Sequence, residues 1–423
     1  MNIPETNHPR VVIIGGGFGG LMLAKSLRGK NFQVVLIDRH NYHTFQPLLY
    51  QVATSGLEPD SIAYPIRKIF EGYPEFYFRM ASAERIDAAA QTLHTNIGPV
   101  RYDHLVVATG SDTNFFGLEG LQTRSMAMKS VPDALDLRSL ILQNFEKALL
   151  TKDLEERESL MNFVIVGGGP TGTELAGALG ELKRHVLPKD YPDLDIRRMN
   201  IHLIEAAPRV LAAMSEVASE KAARFLEKLG VQVWTDLRVT TYDGRLVNTS
   251  GGQEFRSHTV IWAAGVMGAP VEGLPAEALQ RNFRVAVDAF SRVEGQENIY
   301  AIGDVAHMPT EAYPKGHPMM AQPAMQQGQH LARNLKRSLQ GKPMVPFRFK
   351  DLGSMATVGR NLAVVDLPRF RFQGFFAWFV WMFIHLIQLV GFRNKLVVLL
   401  NWMWSYYKFD RGTRLIIRPF RRK

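Results

Sequence analysis

The chain has 423 residues, 46 % hydrophobic and 21 % charged, which is an ordinary balance for a globular protein of two or three domains. It has no cysteine, which excludes disulfide frameworks, thiolate metal sites and dithiol redox chemistry. The net charge of +10 is carried entirely by residues 367–423, which hold eleven Lys or Arg and one acid. Because apolar runs separate these bases, the segment favours an anionic lipid surface over nucleic acid as its partner.

The N-terminal segment is polar, lacks the apolar core of a secretory signal, and leads directly into a β-branched strand. The body of the protein is therefore expected to stay in the cytoplasm. Gly15, Gly17 and Gly20 follow the strand in G-x-G-x-x-G spacing and open an apolar helix pattern, and a second strand ends at Asp38. This order predicts a dinucleotide site, with the glycines against a pyrophosphate and the carboxylate on the ribose hydroxyls.

The same pattern returns 152 residues later at Gly167, Gly169 and Gly172, and its second strand ends at Glu205. A polar insert lengthens the glycine-to-acid spacing to 38 residues. An acid at this strand end repels a 2′-phosphate, so NADH is predicted rather than NADPH. Two modules predict two dinucleotides, a tightly held flavin and a nicotinamide that exchanges.

Three further apolar strands end in small turns, at 104–111, 259–266 and 298–306. The first ends at Thr109 and Gly110, a turn suited to close approach of a cofactor, and the third ends at Asp304. An ordinary strand end remains the alternative for each.

The run FFAWFVWMFIHLIQLVGF (375–392) carries no formal charge, and a second apolar run follows at 396–404 between clusters of bases. As one helix, the 18 residues would be about 27 Å long, slightly short of a full span. Tryptophans in both runs suit a membrane interface. The pattern predicts a monotopic anchor that dips into the cytoplasmic leaflet, with a single transmembrane span as the alternative.

Taken in order, these segments resemble the two-dinucleotide flavoproteins related to disulfide reductases, and among them the type II NADH dehydrogenases (NADH:quinone oxidoreductases). The most specific matches are NYHTFQPLLYQVATSGLEPDSIAYPIR (41–67), AQPAMQQG (321–328) and GFRNKLVVLLNWMW (391–404). The absence of cysteine separates the chain from relatives that attack flavin or sulfur with a thiolate.

The resemblance implies an α/β fold with two Rossmann-like domains and a helical membrane-anchoring tail. A FAD domain formed by 1–115 and 290–366 would be interrupted by an NADH domain at 116–289. The membrane-associating tail would run over 367–423.

The resemblance also assigns residues to ligands. FAD would be held by Gly15, Gly16, Gly17, Gly19, Gly20, Asp38, Arg39, His40, Ala83, Thr109, Gly110, Asp304, Ala321 and Gln322. NADH would be held by Gly167, Gly169, Gly172 and Glu205. Glu174 is implied in proton handling near the flavin, and Gln322 and Gln326 would line the quinone pocket. From the residues alone, His40 and His43 are interpreted as solvated loop histidines, and no metal site is predicted because the spacing supplies no third ligand.

The predicted reaction passes a hydride from NADH to FAD and two electrons on to a membrane quinone of the respiratory chain, on the cytoplasmic side of the cell membrane. No proton pumping is expected, because nothing in the body resembles an intramembrane path of ionisable residues. A homodimer is possible. One alternative is a soluble NADH-dependent flavin or ferredoxin reductase-like enzyme whose tail is a dimer interface. The other is a non-catalytic flavin-binding redox sensor.

Overall fold

The computed structural model describes residues 1–408 and 412–421, so part of the predicted basic terminus lies outside the described residues. The chain divides into two compact units. Unit 1 comprises Met1–His43, Tyr64–Asp112 and Val266–Asp351, and unit 2 comprises Thr44–Ala63, Thr113–Gly265 and Leu352–Lys423. Relative to the predicted domains, 44–63 and 352–366 fall in unit 2, and 266–289 fall in unit 1.

Unit 1 is built on a five-stranded parallel sheet. Its strands, in spatial order, are Ile299–Ala301, His104–Val107, Arg10–Ile14, Gln33–Asp38 and Phe76–Met80. The inner strands are apolar and almost fully buried, as expected for a parallel sheet covered on both faces, whereas the edge strand Phe76–Met80 is mostly only partly buried.

Two helices of unit 1 carry predicted site residues. The first glycine-loop helix is Phe18–Leu27, and the Gln-rich helix is Ala321–Leu339. The two helices pack closely because Gly328 has no side chain: a Cβ there would lie 2.5 Å from the carbonyl oxygen of Gly19. The glycine that ends AQPAMQQG is therefore explained by helix packing.

The remaining elements of unit 1 are short. They are the strands Ala83–Asp87, Thr92–Thr95, Val100–Arg101, Val266–Gly268, Val285–Ala286 and Ala306–His307, the helix Ile66–Ile69 and the 3-10 turns Ala276–Ala278 and Gly303–Val305. The strands Tyr42–Thr44, Ala63–Pro65 and Ser111–Thr113 lie where the chain passes from one unit to the other.

Unit 2 repeats the winding of unit 1 in a second five-stranded parallel sheet. Its strands, in spatial order, are Met126–Ala127, Thr259–Trp262, Phe163–Val166, Ile201–Ile204 and Val231–Trp234. In both sheets the strand before the glycine loop is third and the strand that ends at the acid is fourth. The second glycine-loop helix is Pro170–His185.

The other elements of unit 2 surround this sheet. The helices are Leu49–Ala53, Pro59–Ile62, Glu119–Arg124, Val131–Leu150, Leu154–Met161, Leu187–Asp190 and Glu216–Lys228, with 3-10 turns at Gln46–Leu48 and Ile196–Arg198. An antiparallel sheet contains Val239–Tyr242, Leu246–Thr249 and Glu254–Arg256.

The C-terminal region of unit 2 begins with a three-stranded antiparallel sheet of Ser354–Gly359, Leu362–Asp366 and Arg371–Gln373. This sheet reaches the second glycine-loop helix so closely that a Cβ on Gly177 would overlap the carbonyl oxygen of Val358. The aromatic helix, Phe375–Gln388, packs on the middle strand through Ala377, which is fully buried.

The terminal helix, Phe392–Lys408, is fastened to unit 2 by polar side chains. Near its start, buried Asn394 donates to the carbonyls of Asp60 and Ala63 at 2.9 and 3.2 Å. Near its end, the Arg360 guanidinium donates to the carbonyls of Ser405 and Tyr406. The C-terminal region is thus part of the core of unit 2.

The 375–392 run does not form one helix, so the expected length of about 27 Å is wrong. The aromatic helix ends at Gln388, and Gly391, at φ 87°, turns the chain before the terminal helix starts at Phe392. None of the helices within the described residues is long and apolar enough to cross a membrane. The predicted α/β class, with two Rossmann-like sheets and a helical C-terminal region, is confirmed.

Candidate functional site

The first glycine loop of unit 1 is shaped by steric limits. Gly15 has φ 107°, and a Cβ there would overlap the carbonyl oxygen of Ala108. A Cβ on Gly20 would overlap the carbonyl oxygen of Gly15. Gly17 differs, because a Cβ there would meet no heavy atom within 4 Å. The loop therefore needs Gly15 and Gly20 for its own backbone, whereas Gly17 leaves space open at the start of a helix, where a pyrophosphate binds.

Asp38, at the end of the second strand, faces the glycine loop and also stabilises it by hydrogen bonds. One Asp38 oxygen accepts the Gly16 N–H at 2.7 Å, and the other accepts the His40 N–H at 2.7 Å. Each carboxylate oxygen has a second lone pair that can accept from a ribose hydroxyl. Arg39 is exposed beside it, and the His40 ring lies 3.7 Å from the carboxylate.

His43 also belongs to this loop, so its interpretation as a solvated histidine is wrong. It is 3 % exposed, and its Nδ1 lies 2.8 Å from the carbonyl oxygen of Gly16. Burial lowers the pKa of His43 to about 4, so the ring is neutral at physiological pH and its Nδ1–H donates to that carbonyl. His43 stabilises the loop through this hydrogen bond, a role that no local sequence pattern indicates.

The carboxyl ends of two other strands bring Thr109, Gly110 and Asp304 to the same edge of the sheet. Asp304 accepts from the Ser111 hydroxyl at 2.6 Å. Thr109 Oγ1 is buried and has no hydrogen-bond partner in the structure. A hydroxyl in this position is satisfied if a polar cofactor lies against it. The open space at Gly17 and the unpartnered Thr109 hydroxyl both fit a bound flavin dinucleotide.

Gln327, which the sequence did not single out, supports the Asp304 turn. Its side chain is 1 % exposed, and its Oε1 accepts the Gly303 N–H at 2.7 Å. Its neighbour Gln326, predicted to line a quinone pocket, instead exchanges two hydrogen bonds with the Lys350 backbone, at 2.9 and 3.0 Å.

Four other predicted residues take defined positions in unit 1. Ala321 and Gln322 form the first turn of the Gln-rich helix, and Ala83 begins a small antiparallel sheet. Gly19 is buried, and a Cβ there would lie 3.3 Å from the carbonyl oxygen of Ala324.

The second glycine loop, in unit 2, repeats the construction of the first. Gly167 has φ 109°, a Cβ on Gly172 would overlap the carbonyl oxygen of Gly167, and Gly169 is open to 4 Å. Glu205 accepts the N–H groups of Gly168 and Ala207, at 2.5 and 2.7 Å. This loop therefore fits a second dinucleotide.

Glu174 lies in the first turns of the second glycine-loop helix and faces a cavity of about 90 Å³ within unit 2. It is 8 % exposed and receives the Thr357 N–H at 3.4 Å. Burial raises the pKa of Glu174 to about 8, and the Thr357 N–H and the Trp381 side chain offset this only in part. A carboxyl with this pKa is protonated near neutral pH and can donate a proton.

Tryptophan and tyrosine side chains form part of the cavity wall. Trp378 stacks on Tyr406, and Trp381 packs beside Trp402, with ring centroids 5.7 and 5.8 Å apart. Polar groups enter from Leu49–Ala53, where Gln51 accepts from the Trp402 indole at 2.8 Å. The described lining residues all belong to unit 2, and neither Gln322 nor Gln326 is among them.

The chain is similar to known proteins over nearly its whole length. Residues 9–328 match the pyridine nucleotide-disulphide oxidoreductase model, and residues 352–408 match the NDH2 C-terminal domain. The chain is 37 % identical to "Type II NADH:quinone oxidoreductase Ndh" of Mycobacterium tuberculosis over 97 % of this chain and 90 % of that one. It is 30 % identical to an internal alternative NAD(P)H-ubiquinone oxidoreductase of Solanum tuberosum over 93 % and 86 %. The chain therefore belongs to the type II NADH:quinone oxidoreductase family, as the sequence predicts.

Solved structures agree on the fold. NDH2 of Plasmodium falciparum, solved in complex with NADH, superposes with a TM-score of 0.89 at 21 % identity, over 97 % of this chain and 100 % of that one. The sulfide:quinone oxidoreductase of Aquifex aeolicus superposes with a TM-score of 0.71 at 20 % identity, over 92 % of each chain.

Proposed function

We propose that this chain oxidises NADH and reduces a membrane quinone through FAD, without proton pumping, with the cavity at Glu174 as the site of the acceptor. The observation that carries this proposal is the buried Glu174 in a cavity lined by tryptophan and tyrosine side chains, where burial raises the pKa of its carboxyl group to about 8. When bound, FAD accepts a hydride from NADH and supplies two electrons to the quinone. The protein must position the ligands, exclude water from the site and supply protons.

The chain's own residues supply position at the two glycine loops. At the first loop, Gly17 leaves the space for the FAD pyrophosphate. Asp38 and Asp304 accept hydrogen bonds from hydroxyl groups of FAD. At the second, Gly169 leaves the space for NADH, and Glu205 accepts its ribose hydroxyls and repels a 2′-phosphate.

The Glu174 cavity suits a quinone head group because a flat apolar ring packs against indole and phenol faces. The two carbonyl oxygens of a quinone need donors, and Glu174 supplies one when it is protonated. This proposal replaces Gln326 as a pocket residue, since the backbone of Lys350 already engages both ends of its amide.

The reaction is tested by mixing the purified flavoprotein with NADH or NADPH without oxygen and then adding ubiquinone-1. NADH is expected to bleach the flavin absorbance at 450 nm, NADPH to do so far more slowly, and the quinone to restore the colour. Bleaching without reoxidation by quinone would favour the soluble reductase alternative. A yellow protein that NADH does not bleach would favour the sensor.

We further propose that the aromatic and terminal helices attach the protein to the cytoplasmic face of the cell membrane. Both helices expose large apolar side chains: Phe375, Phe376, Phe379, Phe383, Ile387, Phe392, Leu396, Leu400, Met403, Trp404 and Tyr407. Neighbouring bases such as Arg393 and Lys395 suit anionic head groups. This arrangement supports a monotopic anchor through which a lipid-soluble acceptor is reached.

Replacing Phe379 and Phe383 by Gln is expected to weaken binding to phosphatidylglycerol-containing vesicles by about tenfold or more. These rings are 50 % and 57 % exposed and do not line the Glu174 cavity, so folding and flavin content should be kept. Each half-exposed ring contributes about 1 kcal/mol of burial in lipid. Flotation of vesicles measures the effect.

The matched control for this test is Leu150→Gln, which removes an 85 % exposed apolar side chain elsewhere in unit 2. Unchanged flotation of the double variant, together with a change from dimer to monomer in solution, would show instead that this face joins two copies of the chain.

A further inference from the structure

A second carboxylate lines the Glu174 cavity from the same helix. Glu174, Ala178 and Glu181 recur at spacings of four and three residues, so all three side chains lie on one face of the second glycine-loop helix. Seven residues correspond to about 10 Å along a helix axis. Glu174 lies at the buried end of this stripe and Glu181 is half-buried two turns further on.

The stripe continues towards solvent. His185, one turn beyond Glu181, is also partly exposed, and Glu181 is close enough to act on its charge. Between Glu174 and Glu181 the cavity of about 90 Å³ has room for several water molecules. A buried acid, a cavity with room for water and a half-buried acid therefore follow one another along a single helix face.

The outer acid is held in place by the backbone. The Arg360 N–H donates to Glu181 Oε1 at 2.5 Å, while the Arg360 guanidinium is engaged by the end of the terminal helix. Other charged or titratable groups around this end of the helix include Lys183, Arg184, Lys189, Asp190, Tyr50 and Tyr406. Of these acids and bases, only Glu181 lines the cavity on the same helix face as Glu174.

The overall reaction requires a proton path. NADH + H⁺ + quinone → NAD⁺ + quinol consumes one solvent proton per turnover, so a group that donates a proton inside the cavity must be recharged each time. We infer that Glu181 is the proton-entry residue of this cavity: it takes a proton from solvent, with His185 at the outer end, and passes it through cavity water to Glu174. This inference rests on the proposed function and adds the route by which its proton arrives.

The test is Glu181→Gln, because glutamine keeps an Oε1 acceptor for the Arg360 N–H but cannot carry the proton. Turnover with ubiquinone-1 is expected to fall about tenfold at pH 8.5 and about twofold at pH 6, with an increased solvent deuterium isotope effect at the higher pH. Turnover with ferricyanide, which takes electrons without protons, should stay within about twofold of the wild type. Glu181→Asp should restore part of the alkaline activity.

The control is Glu227→Gln, an exposed acid on the neighbouring helix Glu216–Lys228 that does not line the cavity. An E181Q profile that matches the wild type at both pH values overturns the inference, as does a parallel loss with ferricyanide, which indicates a structural role. A wild type that reduces ferricyanide but not ubiquinone-1 overturns the proposed function itself.

Discussion

The Glu174→Gln variant is expected to reduce quinone about 10²–10³-fold more slowly than the wild type, while its flavin is still bleached by NADH at nearly the wild-type rate. The carboxyl group is buried with its pKa raised to about 8, so at neutral pH it holds a proton that an amide cannot donate. Stopped-flow absorbance separates the two half-reactions. An equal loss in both would instead place Glu174 in nicotinamide binding.

The same substitution has a signature in stability. The carboxyl pKa is raised on folding from an ordinary 4.5 to about 8, so the folded chain retains a proton that the unfolded chain releases. The free energy of unfolding therefore decreases as pH rises through this window, by a few kcal/mol in total, and levels off above it. The Gln variant lacks this slope. The difference in melting temperature, variant minus wild type, should therefore increase from pH 5 to pH 9. A difference that does not change with pH would contradict the burial of a protonated acid.

The dinucleotide modules could be predicted because their information is local. Strand, glycine loop, helix, strand and acid are contiguous from Arg10 to Asp38, and Gly15 and Gly20 are required because nearby backbone atoms leave no room for a side chain. The repeat at Gly167 obeys the same steric rules, so its longer insert before Glu205 did not hide it. The sequence does not predict that each acid also accepts a hydrogen bond from a glycine-loop N–H, from Gly16 to Asp38 and from Gly168 to Glu205.

Residues whose roles depend on distant contacts could not be assigned from the sequence. Gln326 and Gln327 are neighbours with the same chemistry, and the orientation of the helix decides which one is buried against the Gly303 turn. Likewise, Glu174 and Glu181 share a helix face, but other walls of their cavity come from Thr357 and from the aromatic helix, which are distant in the chain. The spacing of residues within one segment does not predict such long-range contacts.

The C-terminal region also differs in kind from an appended tail. Trp381 is 2 % exposed, and Ala377 packs with Ala363 and Val365 in one apolar cluster. Removing residues 367–423 would expose this cluster and delete part of the cavity wall, so loss of quinone activity in such a truncation would not distinguish anchoring from folding. Substitution of exposed rings such as Phe379 separates the two.

Alanine at Gly17 or Gly169 is expected to weaken the binding of one dinucleotide strongly while leaving the fold of the chain unchanged. Both glycines have extended backbones that alanine adopts, with φ −69°, and a Cβ at either meets no heavy atom within 4 Å. The protein itself therefore tolerates the methyl group, and only a pyrophosphate lying against the loop would collide with it. Gly17→Ala should purify without yellow colour.

Gly169→Ala should keep its flavin and lose no more than about 2–4 °C in melting temperature, because alanine at a helix N-cap costs about 1 kcal/mol relative to glycine. Its affinity for NADH should fall by about 100-fold, equivalent to about 2.7 kcal/mol. Dithionite should still reduce the flavin, and ubiquinone-1 should still reoxidise it, since neither reagent uses the second loop. Gly412→Ala, at another open glycine, is the matched control. Normal NADH affinity in G169A would exclude the second loop as the pyrophosphate site. The methyl group would still occupy the open space at the loop, because no protein atom displaces it.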